Sequence, residues 1–470
     1  MVFSSIEFLF YFLPVTLIGY FALKRWRRAS NVFLSVMSLG FYAFGAPKFF
    51  PIMMASIVLN WLFGLWVDRV RDDKRKSKLA LTLMVVFNLG LLGVFKYLMF
   101  LMNSLNLWFS IQLPVPQITL PIGISFFTFQ AMSYVIDVYR GNGKVQKNLI
   151  NVCLYISFFP QLIAGPIVKY HDISEQIDRR VLTPEQSAAG IRRFVRGLAK
   201  KLLIADSVGF LADAAYAALS GTPDSRVMWL GAVCYTLQIY YDFSGYSDMA
   251  IGMGRMFGFS IRENFLFPYG AASIREFWRK WHVSLSTWFR EYLYIPLGGN
   301  RRGRARAALN RFIVFLCTGI WHGANWTFVF WGLAHGLLSS AEDWGLIPVR
   351  RLEKSRAGRV LCRIYTMLCV TLLFAIFRAD SLSDGFRLIA ALFSGSVTAE
   401  GSLLLARLLS PAALLTLALA ALLAGNLVPK LRERVKLPEP VADLLSLGLL
   451  CLCILCLSRG GFHPFIYFQF

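Results

Sequence analysis

Charge is scarce in this chain. Asp, Glu, Lys and Arg together make up 16% of its 470 residues, against about 25% in soluble domains. The acidic sign is the rarer one, with 26 Asp and Glu against 49 Lys and Arg and a formal net charge of +23. Histidine occurs only five times. No HExxH pattern or Cys/His cluster has metal-ligand spacing, so no metal is expected. All eight cysteines lie in apolar segments, where they read as small buried hydrophobes and imply no disulfide framework. Repeated ten-residue alternating strands are missing, which argues against a membrane β-barrel. Internal repeats, low-complexity linkers and a soluble domain are missing too, so residues 1–470 are read as one domain.

Apolar length is what the chain has in abundance. Hydrophobic residues reach 57%, and many runs approach or exceed the ~18–20 residues that cross a hydrocarbon core. The fold class expected is an all-α polytopic membrane protein with about 11 transmembrane helices, plus re-entrant and interfacial helices. The positive charges fall between the apolar runs, as the positive-inside rule requires. Nucleic acid is therefore not the expected partner. Anionic membrane lipid or an acidic cytosolic cofactor takes the remaining charge.

The basic clusters give an orientation. The first apolar run, Phe8 to Leu23, has no basic residue before it and is followed by Lys24, Arg25, Arg27 and Arg28. That order reverses a signal peptide and reads as a first span with its N-terminus outside. Lys24–Arg28, Asp68–Lys78, Arg140–Lys147, Lys169–Lys201 and Arg350–Arg363 are placed inside, and Arg378 is among the few exceptions outside. The run 149–168 starts and ends inside and is broken by Pro160, Gly165 and Pro166, which predicts a re-entrant hairpin. Residues 191–203 carry basic and apolar residues on opposite sides, as an interfacial helix does. Residues 242–311 are read as cytoplasmic and half-embedded. Spans are expected near 227–243, 308–321, 326–345, 361–377, 402–428 and 441–457.

Phe315 to Gly336 is almost wholly apolar yet contains His322, Asn325 and His335. An ionisable group at membrane depth is costly and needs a reason, and histidine is the residue suited to moving a proton near neutral pH. His322 reads as a general base, or as a buried histidine that joins helices. Gly323 and Ala324 leave room for a substrate beside it. Asn325 is placed to hold the imidazole or to donate to an oxyanion. His282 follows Arg279, Lys280 and Trp281 and reads as a second polar group of the site, or as an interfacial structural residue. His335, thirteen residues on, does not stack on His322 by helical spacing. His171 and His463 read as loop residues. Asp242, Ser244 and Asp248 either pair with cytoplasmic arginines or position the histidine, and FSGYS lacks the nucleophile-elbow pattern. The catalytic residues expected are His322 and His282. The substrate-binding ones are Asn325, Trp321, Trp281, Arg279 and Asp242. Arg275, Arg279, Lys280, Arg290, Arg301, Arg302, Arg304 and Arg306 form a basic patch suited to cofactor phosphates or to headgroups. LGGNRRG lacks the P-loop pattern.

Long ordered stretches carry a resemblance. They are MVFSSIEFLFYFLP, LPIGISFFTFQAMSYVIDVYRG, FPQLIAGPIVKY, YYDFSGYSDMAIGMGRMFG, NFLFPYGAASIREFWRKWHVSLSTWFREYLYIPLGGNRRG, GIWHGANWTFVFWGLAHG and PFIYFQF. Together they resemble the membrane-bound O-acyltransferase family, specifically its bacterial alginate O-acetyltransferase-like branch, over nearly the whole chain. The resemblance implies tilted helices around a central funnel, with the family histidine at His322 and its second signature position at His282. It implies an acyl thioester such as acetyl-CoA arriving from the cytosol. It also implies an acceptor on the outer side, with an extracytoplasmic acetyltransferase- or esterase-like partner that modifies a polysaccharide such as alginate. The expected location is the cytoplasmic (inner) membrane. Direct transfer and an acyl-enzyme stay open. D-alanyl transfer to teichoic acid from a carrier protein is a nearer alternative, and a multi-pass transporter a more distant one.

Overall fold

Turns and caps in the sequence divide the chain into helices. The computed structural model describes residues 2–221, 223–425, 427, 431, 434, 435, 438–458 and 464–466. Among these residues the regular structure is entirely helical. In chain order the α-helices are α1 (Leu13–Leu23), α2 (Arg27–Gly45), α3 (Phe50–Arg69), α4 (Lys74–Leu92), α5 (Leu98–Phe109), α6 (Ile124–Arg140), α7 (Leu149–Ser157), α8 (Phe159–Leu162), α9 (Tyr170–Asp178), α10 (Pro184–Ala199) and α11 (Asp206–Ala217). They continue with α12 (Ser225–Met256), α13 (Ile274–Lys280), α14 (Val283–Phe289), α15 (Gly303–His322), α16 (Trp326–Trp344), α17 (Val349–Leu352), α18 (Arg356–Arg378), α19 (Leu382–Phe393), α20 (Ala399–Leu408), α21 (Pro411–Ala424) and α22 (Glu439–Ser458).

The contacts divide into two compact units. One comprises Met1–Phe194 and Tyr246–Glu263, and the other Val195–Gly245 and Asn264–Phe470. In the first unit the charged turn after α3 ends at Asp73, whose carboxylate accepts the N–H groups of Arg75 and Lys76 and caps α4. The 149–168 run breaks at Phe158, between α7 and α8. Arg180 is buried there. It donates to Tyr20 Oη at 2.9 Å, Asn31 Oδ1 at 2.8 Å and the Phe257 carbonyl at 3.1 Å. Each of these acceptors helps meet the desolvation cost of a buried guanidinium.

Among the described residues, five helical stretches are long and apolar enough to cross a membrane: Pro47–Arg69, Lys74–Phe109, Pro184–Ser220, Arg356–Arg378 and Glu439–Ser458. A sixth counts if α20 and α21 form one span, bent by 78°. Pro411 opens α21 immediately after the break, where it cannot continue the preceding helix. The expected count was about 11. The difference lies in helices that are apolar only in part. The first turns of α15 carry Arg304 and Arg306, with Arg311 further along, and α12 carries Asp242, Asp248 and Arg255.

Two local expectations change. The span expected near 227–243 continues without a break to Met256 as one helix, α12. Arg193, expected on an exposed basic face, is buried. It donates to Asp248 Oδ1 at 2.9 Å and to Glu263 Oε1 at 2.5 Å. An acidic pair brought from distant sequence turned an apparently interfacial arginine inward.

In the second unit α15 and α16 form a tight antiparallel hairpin. A Cβ on Gly319 would lie 2.4 Å from the Phe328 carbonyl oxygen, and one on Gly332 2.4 Å from that of Phe315. Only glycine permits this approach, as in other close membrane helix pairs. Around the hairpin lies an aromatic core that includes Tyr235, Phe277, Trp278, Trp281, Phe315, Trp331, Phe374 and Phe377.

Candidate functional site

His322 is the last residue of α15 and is buried. Three residues turn the chain into α16. Asn325 caps that helix, accepting the Thr327 N–H at 3.1 Å and donating to the Asp380 carbonyl at 2.8 Å. The space at Gly323, expected to admit substrate, is filled instead. A Cβ there would lie 2.1 Å from the Phe328 ring. Aromatic edges hold the His322 imidazole: Trp321 at 5.2 Å, Trp331 at 5.1 Å and Phe377 at 5.4 Å between ring centroids.

His282 lies between α13 and α14 and is wholly buried. Its φ of 44° and ψ of 53° are left-handed, a conformation that costs energy for a residue with a side chain and persists where the surroundings impose it. The surroundings here are polar. His282 Nδ1 lies 3.2 Å from Asn264 Oδ1. The same oxygen accepts the Ser284 N–H at 3.2 Å and its hydroxyl at 2.8 Å. Two donors from Ser284 identify that atom as the amide oxygen, so Nδ1 carries the proton. When the ring is neutral, its lone pair lies on Nε2. The His282 and His322 centroids are 6.4 Å apart at an interplanar angle of 62°. Trp321 touches both rings.

Two cavities lie beside α15. A small one of about 10 Å³ is lined by His322, Trp331, Trp281, Phe243, Ile239, Phe374 and Phe377. It is about one water in size. The Trp331 indole N–H, in this wall, has no hydrogen-bond partner among the described residues. A cleft of about 160 Å³ is lined by Trp278, Leu285, Ser286, Phe289, Val314, Phe315 and Thr318. Trp278 is fixed in its wall by donating its indole N–H to His335 Nδ1 at 3.2 Å. Arg311, Val314, Phe315, Thr318 and His322 recur at helical spacing on α15, so one helix face runs from the arginine past the cleft to the histidine. That run rises about 16 Å.

Positive charge collects at the far end of this face. Asp343 accepts from Arg275 at 2.5 Å, Arg311 at 3.0 Å and Arg350 at 3.2 Å. Three guanidinium groups share one carboxylate. Glu342 accepts the N–H groups of Ile274 and Arg275, at 2.7 and 3.2 Å, and so fixes the start of α13.

The structure therefore brings together His322, His282, Trp321 and Trp281. It does not bring Asn325 into either cavity lining, and its amide is spent on the cap and on Asp380. Arg279 is exposed on α13. Asp242 lies outside both linings and pairs with Lys201 at 2.7 Å, while its second oxygen accepts the Ile466 N–H at 2.8 Å. His171 is in the first unit, 2.9 Å from Asp137. His463 lies outside the described residues. No group of three His, Cys, Asp or Glu gathers as a metal site among the described residues. Sequence reasoning missed Trp331, Asn264 and Lys201. For Trp331 a signal existed, since Gly319 and Gly332 predict a close hairpin that lays Trp331 beside α15.

Comparison with known proteins adds to this geometry. The model of the membrane-bound O-acyltransferase family matches residues 144–378. The chain is 39% identical to the probable alginate O-acetylase AlgI of Azotobacter vinelandii, over all of both chains. It is 44% identical to the protein of that name in Pseudomonas aeruginosa, over 84% of this chain and 75% of the relative. It is 35% identical to the peptidoglycan O-acetyltransferase of Helicobacter pylori, over 83% of this chain and 79% of the relative.

Proposed function

The chain belongs to the membrane-bound O-acyltransferase family, and on that premise we propose that it moves acetyl groups from a cytosolic thioester to an extracytoplasmic polysaccharide. The donor in this reading is acetyl-CoA and the acceptor is a glycan such as alginate, reached through an acetyltransferase-like partner protein. The observation that carries the reading is the single face of α15 that joins Arg311 to His322 past an apolar cleft. Its length, about 16 Å, is of the order of an extended pantetheine arm. Arg275, Arg311 and Arg350 hold phosphates at the cytosolic end as charge-assisted donors. The cleft takes the arm and excludes water.

His322 acts as general base on the acceptor hydroxyl. The hydroxyl oxygen attacks the thioester carbonyl, forming the C–O bond. The oxyanion accepts a hydrogen bond from Trp331 Nε1–H, a preorganised donor with no other duty. Collapse breaks the C–S bond, and the imidazolium returns its proton to the departing thiolate. His282, with its lone pair on Nε2, orients the acceptor hydroxyl as a second acceptor. Asn325 shapes the turn that presents His322. Trp321 and Trp281 wall the site, and Asp242 braces it from outside.

Inside-out membrane vesicles carrying the protein and its partner test this. Radiolabelled acetyl-CoA supplied at the cytosolic face is expected to leave label on luminal protein or glycan. Label confined to the cytosolic face, with free acetate as the product, would overturn transfer across the membrane.

A further inference from the structure

His335 is the second histidine of the apolar stretch 315–336, and the transfer chemistry does not use it. It lies on α16 and is wholly buried. Its Nδ1 accepts the Trp278 indole N–H at 3.2 Å. An indole N–H only donates, so Nδ1 carries the lone pair and the proton lies on Nε2. That second nitrogen has no hydrogen-bond partner among the described residues. Phenylalanine at this position would leave one polar group unpaired, the Trp278 N–H. Histidine leaves one as well, its own Nε2–H. Polar satisfaction therefore gives no reason to keep an ionisable residue in an apolar stretch, and such a residue needs one.

The ring meets two indoles that belong to different cavities. Trp278 lines the larger cleft, and its ring stands at 5.2 Å and 89° to that of His335. Trp331 lines the small cavity at His322. Its centroid is 4.9 Å from His335 and 5.1 Å from His322, so both histidines bear on the same indole. Glycines on either side of His335 press α16 onto α15. A Cβ on Gly332 would lie 2.4 Å from the Phe315 carbonyl oxygen, and one on Gly336 3.1 Å from Phe315 Cβ. Such a close pair leaves the backbone under His335 no room to shift. The imidazole is a fixed point against which the two indoles are set.

We propose that His335 is a positioning residue with two separable faces: its Nδ1 orients Trp278 in the wall of the donor cleft, and its ring holds Trp331 where the indole N–H meets the oxyanion. This rests on the acetyl-transfer reading above. The two faces act at different stages of the reaction. The cleft holds the donor arm in the ground state and the transition state alike, so a loosened Trp278 raises KM and spares kcat. The oxyanion exists only on the way through the transition state, so a displaced Trp331 lowers kcat and spares KM. Substitutions at this one position separate the faces. Asparagine Oδ1 takes the place of the Nδ1 acceptor without a ring. Phenylalanine takes the place of the ring without an acceptor.

The test is a crossed pair of kinetic effects. Initial rates of acetyl transfer are measured against acetyl-CoA concentration, in membranes carrying the full chain and its partner at matched expression. His335→Asn is expected to keep KM within about twofold of wild type and to lower kcat about tenfold or more. His335→Phe is expected to keep kcat within about twofold and to raise KM about fivefold or more. Trp278→Phe has no N–H to orient, so adding His335→Phe to it is expected to leave KM where Trp278→Phe alone puts it. A merely structural histidine would lower activity in both variants together, in step with thermal stability. The proposal is overturned by parallel changes of KM and kcat in the two variants, by wild-type kinetics in both, or by additive KM effects of Trp278→Phe and His335→Phe. Variants that fail to fold would also overturn it, by making His335 a packing residue. No acetyl transfer by the wild type would overturn the transfer reading, and this proposal with it. Transfer with uncrossed kinetics would overturn this proposal alone.

Discussion

Lys201 and Asp242 meet at 2.7 Å, each side chain only 3% exposed. Lys201 is held a second time by Asp206 at 2.8 Å, and Asp242 also receives the Ile466 N–H. A buried pair is costly to break one-sidedly, because the remaining charge is stranded. Lys201→Met is expected to lose about 3–5 kcal/mol of stability, read as a lower midpoint of thermal aggregation in detergent. Adding Asp242→Asn is expected to recover part of that loss. A double variant less stable than the single one would contradict the pairing.

Trp331→Phe separates catalysis from packing. The indole N–H has no hydrogen-bond partner among the described residues, so the stability lost is that of packing a buried ring, about 1–3 kcal/mol. Turnover is expected to fall on the order of 100-fold, with the donor KM little changed. An activity loss no larger than the stability loss accounts for would make Trp331 a packing residue only.

Gly319→Ala probes the hairpin that presents His322. The new methyl would meet the Phe328 backbone oxygen at 2.4 Å, which no rotamer change relieves. A cost of about 1–3 kcal/mol is expected. Activity should fall further than that stability loss accounts for, since His322 follows within one turn. Wild-type turnover in this variant would show that the close approach does not set the site.

A pH dependence follows from His171. The hydrogen bond from its ring to Asp137 at 2.9 Å raises its pKa above the ordinary value of 6.5. A raised pKa in the folded state stabilises fully below the unfolded value, about 6.5, and that contribution fades as pH climbs through the folded value. Melting midpoints are therefore expected to decline above pH 6.5 in the wild type and to be flatter in His171→Gln. Parallel profiles would remove this pair from the account.

Much of this was legible before the structure. The α15–α16 hairpin and the placement of His322 follow from an apolar run interrupted by His-Gly-Ala-Asn. Asn325 was visible as an unusual polar residue, but its capping role was not, because a cap is defined by the backbone turn it closes. Arg193 and Lys201 were misread as outward charges, since helical periodicity does not reveal carboxylates arriving from position 248 or 242. Trp331 and the His282–Asn264–Ser284 group were hidden for a related reason. Their meaning lies in which atoms are left with or without partners once distant segments meet.

The measurement closest to the central claim is acetyl transfer from radiolabelled acetyl-CoA in membranes carrying wild type or His322→Ala at matched expression. If His322 is the general base, label reaches protein or glycan in the wild type and falls by at least about 100-fold in the variant. Equal labelling in both would remove His322 from the mechanism.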